Sequence, residues 1–255
     1  MNRNKEVILE IIGLEKRFGG IRAVDKVDFK LYRNEILGIV GDNGAGKSSL
    51  IKTITGVYKR DGGEIFVSGK KVEIHNTREA KELGIETVYQ DKGLIQILDA
   101  TSNLFLGREK LRNNILGKWF KFLDVRYMRK ETEKLLSKIG VQLRELVAPV
   151  NSLSGGQQQS IAVGRAIYWT GKILIFDEPT NNLGVKEQSK AINLIKTIKN
   201  TYEGISIIVI THNLYHVFEL VDRIMVLRNG QVIGLREKEK TTHNEIVSMI
   251  TGVTA

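Results

Sequence analysis

The chain contains no cysteine among its 255 residues. Disulfides and thiolate metal sites are thereby excluded, and the composition fits a reducing compartment. Proline is nearly missing as well: Pro149 and Pro179 are the only two, so no proline-rich spacer divides the chain. Long apolar runs are absent. The strongest, Ile173–Phe176 and Ile205–Ile210, have the length of strands, far below the roughly 18 residues that a membrane span needs. Glu6 and Glu10 interrupt the basic start where a signal peptide would be apolar, so a cytoplasmic protein is expected. Acidic residues are in the minority, 29 against 39 Lys and Arg, for a net charge of +10. That excess suits nucleic acid, an anionic membrane surface or nucleotide phosphates, and equally suits solvated basic helix faces. The cations are scattered, and Arg236–Lys240 alternates in sign, so no nucleic-acid arm is expected.

What is present supports a packed core: 42% of residues are hydrophobic and 27% charged. Val27–Tyr32 alternates apolar and polar residues, the pattern of a half-buried strand, and Ile36–Val40 reads as a buried one. Further strands are expected at Glu64–Val67, Ile85–Tyr89, Ile173–Phe176, Ser206–Ile210 and Arg223–Leu227, with helices at Lys47–Thr55, Lys186–Asn200 and Leu214–Leu220. Alternation of strand and helix implies a mainly parallel α/β sheet. From Asp91 to about Leu153 the character changes. Val125, Met128, Thr132, Leu135, Leu136 and Ile139 recur at three- and four-residue spacing, an amphipathic helix inside a mainly helical insertion, and another helix is expected after Ser154 as far as Ile167.

Gly41-Asp42-Asn43-Gly44-Ala45-Gly46-Lys47-Ser48 fits the P-loop pattern G-x-x-x-x-G-K-[ST]. Glycines let the backbone curl so that several N–H groups face one phosphate, and the helix that follows adds the positive end of its dipole. Lys47 offers a mobile charge to the β- and γ-phosphates, and the Ser48 hydroxyl is a hard ligand for Mg²⁺. The pattern arises by chance in about one chain in a hundred of this length. Its position between an apolar strand and a helix argues against accident.

Asp177 and Glu178 close the apolar strand that starts at Ile173. Alone, Asp-Glu-Pro is more simply a solvated turn. In a chain with a P-loop, Asp177 is expected to reach Mg²⁺, and Glu178 to polarise the attacking water as a general base. Leu153-Ser154-Gly155-Gly156-Gln157 begins 106 residues after Lys47. Its serine is a good helix cap, and its glycines permit close approach to a ligand.

The L-S-G-G-Q run, the P-loop and the D-E-P-T at 177–180 resemble, in order and spacing, the ABC ATPases. The resemblance runs from about Val7 to Met249. It implies one nucleotide-binding domain over residues 6–250: a P-loop NTPase core at 6–90 and 160–250 with an N-terminal antiparallel β part, and a helical subdomain inserted at about 91–159. It also implies roles for residues that would otherwise be read as structural. Gln90 matches the glutamine that contacts Mg²⁺ and water, His212 the histidine that contacts the γ-phosphate, and Phe18 the aromatic that stacks on adenine, although as a bare residue Phe18 could equally be core. Ser49 completes the phosphate cradle. The family works as a head-to-tail homodimer with two ATP molecules between the subunits. Each site then combines the P-loop of one subunit with Ser154, Gly155, Gly156 and Gln157 of the other, and the motion is passed to membrane permease subunits.

Several stretches look like the ATPases of bacterial importers for ribose, xylose, galactose and fructose: the P-loop itself, Gly84–Gln90, Asn103–Glu109, Leu183–Glu187 and Thr211–Gly230. A motor on the cytoplasmic membrane face is expected, with a permease and an external sugar-binding protein as partners and no nucleic acid. An exporter or lipid-transport ATPase would share the same chemistry. A soluble ABC protein acting on ribosomes or DNA fits less well, since such members carry two ABC domains with a charged linker or a long coiled-coil insertion between P-loop and signature. A non-enzymatic nucleotide sensor fits less well too, since Glu178 and His212 are both present. Three departures stand out: Gly184 where most ABC proteins have aspartate, Asn181-Asn182 where small residues are usual, and Gln158 where Arg is more usual.

Overall fold

The computed structural model describes residues 6–89, 93–113, 119, 121–141, 143, 145–169, 171–181 and 183–253. Its strands are β1 Val7–Phe18, β2 Ile21–Tyr32, β3 Ile36–Val40, β4 Gly62–Val67, β5 Lys70–Val72, β6 Ile85–Val88, β7 Ile173–Asp177, β8 Ser206–Ile210, β9 Arg223–Arg228 and β10 Gln231–Glu237. Its α-helices are α1 Lys47–Ile54, α2 Thr77–Glu82, α3 Ala100–Phe105, α4 Val125–Lys138, α5 Gly155–Trp169, α6 Val185–Thr201, α7 Leu214–Leu220 and α8 His243–Thr251. They fall into two compact units.

The first unit takes in residues 1–90, 169–181 and 199–255. It holds a four-stranded antiparallel sheet, ordered β2-β1-β4-β5, and a six-stranded sheet, ordered β10-β9-β3-β8-β7-β6. In the larger sheet β9, β3, β8, β7 and β6 are parallel to their neighbours, and only β10 runs antiparallel. Strands β3, β7 and β8 are buried along their whole length, which is why they read as continuous apolar runs. Leu50, Ile51 and Ile54 of α1 share one buried cluster with Ile8 and Leu14 of β1, Leu37 and Ile39 of β3, and Ile175 and Ile208. On β3, a Cβ at Gly38 would stand 3.0 Å from Val221 and 3.2 Å from Val217, so glycine there lets α7 lie close against the sheet.

The second unit takes in residues 91–168 and 182–198. Met128, Thr132, Leu135 and Leu136 form the buried stripe of α4. Asn103, fully buried on α3, ties down the segment before it: its amide donates to the carbonyls of Ile95, Leu98 and Asp99, and its oxygen accepts from the Ile95 N–H at 2.8 Å.

The main difference from the sequence reading lies in the small sheet. The antiparallel β part implied by the family resemblance is present, but the residue pattern does not place strand β1, and β2 begins at Ile21 rather than Val27. Register shifts in the β1–β2 ladder, beside a left-handed Gly13, break the two-residue period that would have marked β1 as a strand. The edge strand β10 and the helix α8 were likewise not expected.

Candidate functional site

Three neighbouring parallel strands, β3, β8 and β7, end side by side, and each carries a piece of the site just past its carboxyl end. That edge is where ligands bind in open α/β sheets. Residues 41–46 follow β3, Asp177 ends β7 with Glu178 after it, and His212 lies two residues beyond β8. Ladder pairs Ile39–Ile210 and Asp177–Ile210 set this alignment.

The loop needs its glycines. Gly46, in the left-handed conformation, forms the N-terminal boundary of α1, and a Cβ there would run into the Ala23 carbonyl oxygen. A Cβ at Gly41 would strike the Leu227 carbonyl. The Ala45 carbonyl accepts from the Gly230 N–H at 2.9 Å, so the turn after β9 braces the loop from outside. This brace was not visible in the sequence, because its partner lies 185 residues away and carries no side chain. Asp42, Asn43 and Gly44 form the exposed rim, and Ser49 is half-buried in the first turn of α1.

Lys47 is 7% exposed, and its Nζ donates to the Gly41 carbonyl at 2.7 Å and the Asp42 carbonyl at 2.9 Å. Burial holds its ammonium below the usual lysine range, an effect countered by the charges of Glu178, Asp42 and Asp177. Ser48 Oγ donates to Asp177 Oδ1 at 3.4 Å, a long bond. Burial pushes the Asp177 carboxyl above the usual carboxylate range and the charge of Glu178 adds to this, while Ser48, Lys52 and Lys47 act in the opposite direction. A buried carboxylate beside a hydroxyl is a pair of hard oxygen donors suited to a divalent cation. Among the described residues no cluster of three His, Asp or Glu side chains could enclose a metal. A cation here would thus share its coordination with phosphate oxygens and water, the usual habit of Mg²⁺.

Glu178 adopts a left-handed backbone, φ 52°, held by its N–H donating to the Ile210 carbonyl at 2.9 Å. A non-glycine residue there implies local strain of about 1 kcal/mol. Its Oε1 lies 3.1 Å from His212 Nδ1, while its buried Oε2 has no hydrogen-bond partner among the described residues. One carboxylate oxygen is therefore positioned by the imidazole and the other can accept from a water. Thr180 Oγ1 lies 3.2 Å from His216 Nδ1, a second imidazole that burial keeps below its usual range and that the sequence reading passed over.

Phe18 is 43% exposed at the end of β1. Tyr58 packs edge-on against it, with ring centroids 5.0 Å apart, and Lys16 Nζ lies 5.3 Å from its centroid. Tyr58 too was missed, since nothing local links residues 40 apart. Gln90 lies outside the described residues.

In the second unit, Ser154 starts α5 with a reciprocal cap. The Gln157 N–H donates to Ser154 Oγ at 3.3 Å, and the Ser154 N–H donates to Gln157 Oε1 at 3.0 Å. Gln158, the unusual residue after the motif, donates to the carbonyls of Val150 and Leu153 at 3.1 Å, anchoring the approach to the helix. Ser154 and Gly155 are exposed. A cavity of about 420 Å³ beside them is lined by Ser154, Gly156, Gln157 and the α6 residues Glu187 and Lys190. A Cβ at Gly184 would stand 2.8 Å from Glu187 Oε2, so the glutamate carboxylate already fills the space of a side chain at that position.

A buried P-loop lysine, an Asp-Glu strand end and a histidine on neighbouring strands define a nucleotide-hydrolysing P-loop protein. The chain matches the ABC transporter family over residues 24–181 and belongs to it; it binds ATP and is an ATPase. It is similar to the fructose import ATP-binding protein FrcA of Rhizobium meliloti, with 43% identity over 97% of this chain and 95% of that one. It is also similar to the xylose/arabinose import ATP-binding protein XylG of Sulfolobus acidocaldarius, with 40% identity over 96% of this chain and 94% of that one. The ribose import ATP-binding protein RbsA of Clostridium tetani is 39% identical over 98% of this chain, which spans 48% of that longer protein. Among solved structures, an ATP-binding cassette of an ABC transporter superposes with a TM-score of 0.81 at 26% identity, covering 95% of this chain and 98% of its own. A dimeric post-hydrolysis cassette bound to ADP and Pi gives 0.74 at 25% identity over 91% of this chain and 99% of its own. No helix among the described residues is long and apolar enough to cross a membrane.

Proposed function

We propose that this chain is the ATP-hydrolysing motor of an importer that carries a monosaccharide through a separate membrane permease. It would sit on the cytoplasmic face of the membrane, with a sugar-binding protein on the other side. The carrying observation is the convergence of Lys47, Ser48, Asp177, Glu178 and His212 on three adjacent strand ends. Full-length similarity to proteins named for fructose and xylose/arabinose import supports the cargo class. Residues 6–250 form one cassette in this reading, with about 91–159 as its helical subdomain.

Each residue has a part. Lys47 exchanges the Gly41 and Asp42 carbonyls for β- and γ-phosphate oxygens, and the N–H groups of residues 41–49 add to the cradle. Ser48 and Asp177 hold Mg²⁺, which neutralises phosphate charge when bound, and Gln90 joins them. Phe18 offers its ring to adenine. Glu178 Oε2, the oxygen without a partner among the described residues, takes the proton of the attacking water, while His212 fixes Oε1. The charge developing on the γ-phosphate is met by Ser154, Gly155, Gly156 and Gln157 of a second copy, in a head-to-tail homodimer.

The experiment is reconstitution. The protein, co-expressed with its permease in proteoliposomes, is expected to hydrolyse ATP faster when binding protein loaded with a pentose or hexose is supplied. Stimulation by lipid or drug substrates without a binding protein would instead establish an exporter.

A further inference from the structure

We propose that His216 is a positioning residue for ATP hydrolysis: through Thr180 it holds the turn that carries Glu178. This rests on the reading of Glu178 as the base, and extends it to a residue that acts through another. Two imidazoles grip the same short turn. His212 Nδ1 lies 3.1 Å from Glu178 Oε1, and His216 Nδ1 lies 3.2 Å from Thr180 Oγ1, two residues further on. The Asn181 N–H closes the turn by donating to the Glu178 carbonyl at 3.1 Å. All of these residues belong to the first unit.

The turn needs such a clasp. The left-handed backbone of Glu178 is a strained state that persists only where its surroundings over-determine it. The bond from its N–H to the Ile210 carbonyl fixes one end of the turn. At the other end Thr180 is 5% exposed, and a buried hydroxyl needs a partner. His216 is the one partner of that hydroxyl among the described residues. His216 is itself held from below. Asn213 caps α7, and its Oδ1 accepts from the N–H groups of Tyr215 at 3.1 Å and His216 at 3.4 Å. The Asn213 N–H donates in turn to Thr211 Oγ1 at 3.1 Å, one residue past β8. A continuous chain of bonds thus runs from the end of β8 through the start of α7 to the turn after β7. Burial keeps the His216 ring below the usual histidine range, and so neutral near pH 7. It therefore holds the turn without bringing a second positive charge toward the base. A reacting group displaced by about 1 Å can cost a hundredfold in rate. Neither Thr180 nor His216 lies in the phosphate cradle, so the loss should fall on the hydrolysis rate and not on ATP binding.

The test is single-turnover hydrolysis by the full-length chain at saturating ATP, with ATP affinity measured separately by equilibrium dialysis. His216→Leu should lower the rate about ten- to a hundredfold and leave affinity within about twofold. His216→Asn, whose amide reaches the place of Nδ1, should bring the rate back to within about threefold of the wild type. Thr180→Val keeps the side-chain shape and removes the hydroxyl. It should match His216→Leu, and it decides the matter if the leucine variant fails to fold. The readout that separates positioning from mere support is the combination with Glu178→Gln. With the base gone, its placement no longer matters, so adding His216→Leu should leave the residual rate within about twofold. The proposal is overturned if either folded single variant, His216→Leu or Thr180→Val, hydrolyses at the wild-type rate, or if its loss appears as weaker ATP binding. It is overturned equally if asparagine does no better than leucine, or if the His216→Leu loss multiplies in full onto that of Glu178→Gln. A wild-type rate in Glu178→Gln would overturn the base assignment and this proposal with it, a failure told apart because it needs no change at His216.

Discussion

Lys47 and Ser154 carry the two glycine motifs of this chain, and their surroundings differ in kind. Lys47 lies in the first unit, 7% exposed, and the loop that leads to it is braced from three distant places, by Ala23, Leu227 and Gly230. Ser154 lies in the second unit, exposed, and its described bonds stay within four residues, to Gln157 and to the Gln158 N–H. The phosphate side is fixed by long-range packing, whereas the signature side is a helix start whose geometry is local. In the proposed head-to-tail homodimer, the nucleotide held by the first unit is enclosed by the signature motif of a second copy.

Substitutions can break this comparison. The largest effect is expected at Lys47→Ala, which should lower ATP hydrolysis at least about a thousandfold, since it removes the charge meeting the transferring phosphate. Mixing that variant with Ser154→Ala sharpens the contrast. Each alone should be inactive, yet the mixed dimer has one site with both an intact P-loop and an intact signature, and activity should return in a coupled phosphate-release assay. No recovery on mixing would mean that both motifs serve the same subunit's nucleotide. Next comes Glu178→Gln, with a rate loss of about a hundredfold or more and ATP binding retained. Light scattering with saturating ATP should find the dimer, and a monomer would count against the base assignment. Phe18→Ala should weaken ATP about tenfold, the scale of one base–aromatic stack, by equilibrium dialysis.

The smallest effect concerns stability. Burial raises the Asp177 pKa, so the folded protein holds its proton more tightly than the unfolded chain does. Its contribution to stability therefore grows as pH falls through the raised pKa and levels off below the ordinary carboxylate value. Asp177→Asn should melt about 2 °C higher near neutral pH without nucleotide, and the gain should vanish in mild acid. A variant that melts lower at neutral pH would show that the carboxylate is not held at a cost.

The same contrast explains what could be read in the sequence. The P-loop and the signature were legible because each is contiguous, and the P-loop turn demands glycine at positions 41 and 46. Strands β3, β7 and β8 were legible because burial on both faces writes an unbroken apolar run. Helices α4 and α6 fell within a residue of their expected ends, through their repeating apolar stripes. Strand β1 was not legible, since its bulges scramble the alternation. Gly230, Tyr58 and His216 were not either, because each matters through a partner that only folding brings near or that carries no distinctive neighbour. The roles of Gln90, His212 and Phe18 came from family resemblance rather than from their surroundings.

The two carbonyl bonds of Lys47 have a kinetic consequence. The ammonium already sits in a ready-made ring of acceptors, so an arriving triphosphate replaces neutral oxygens with charged ones and leaves the surrounding turn as it was. Capture should then be governed by encounter, with an observed rate that climbs in direct proportion to ATP concentration and shows no plateau from a preceding slow rearrangement.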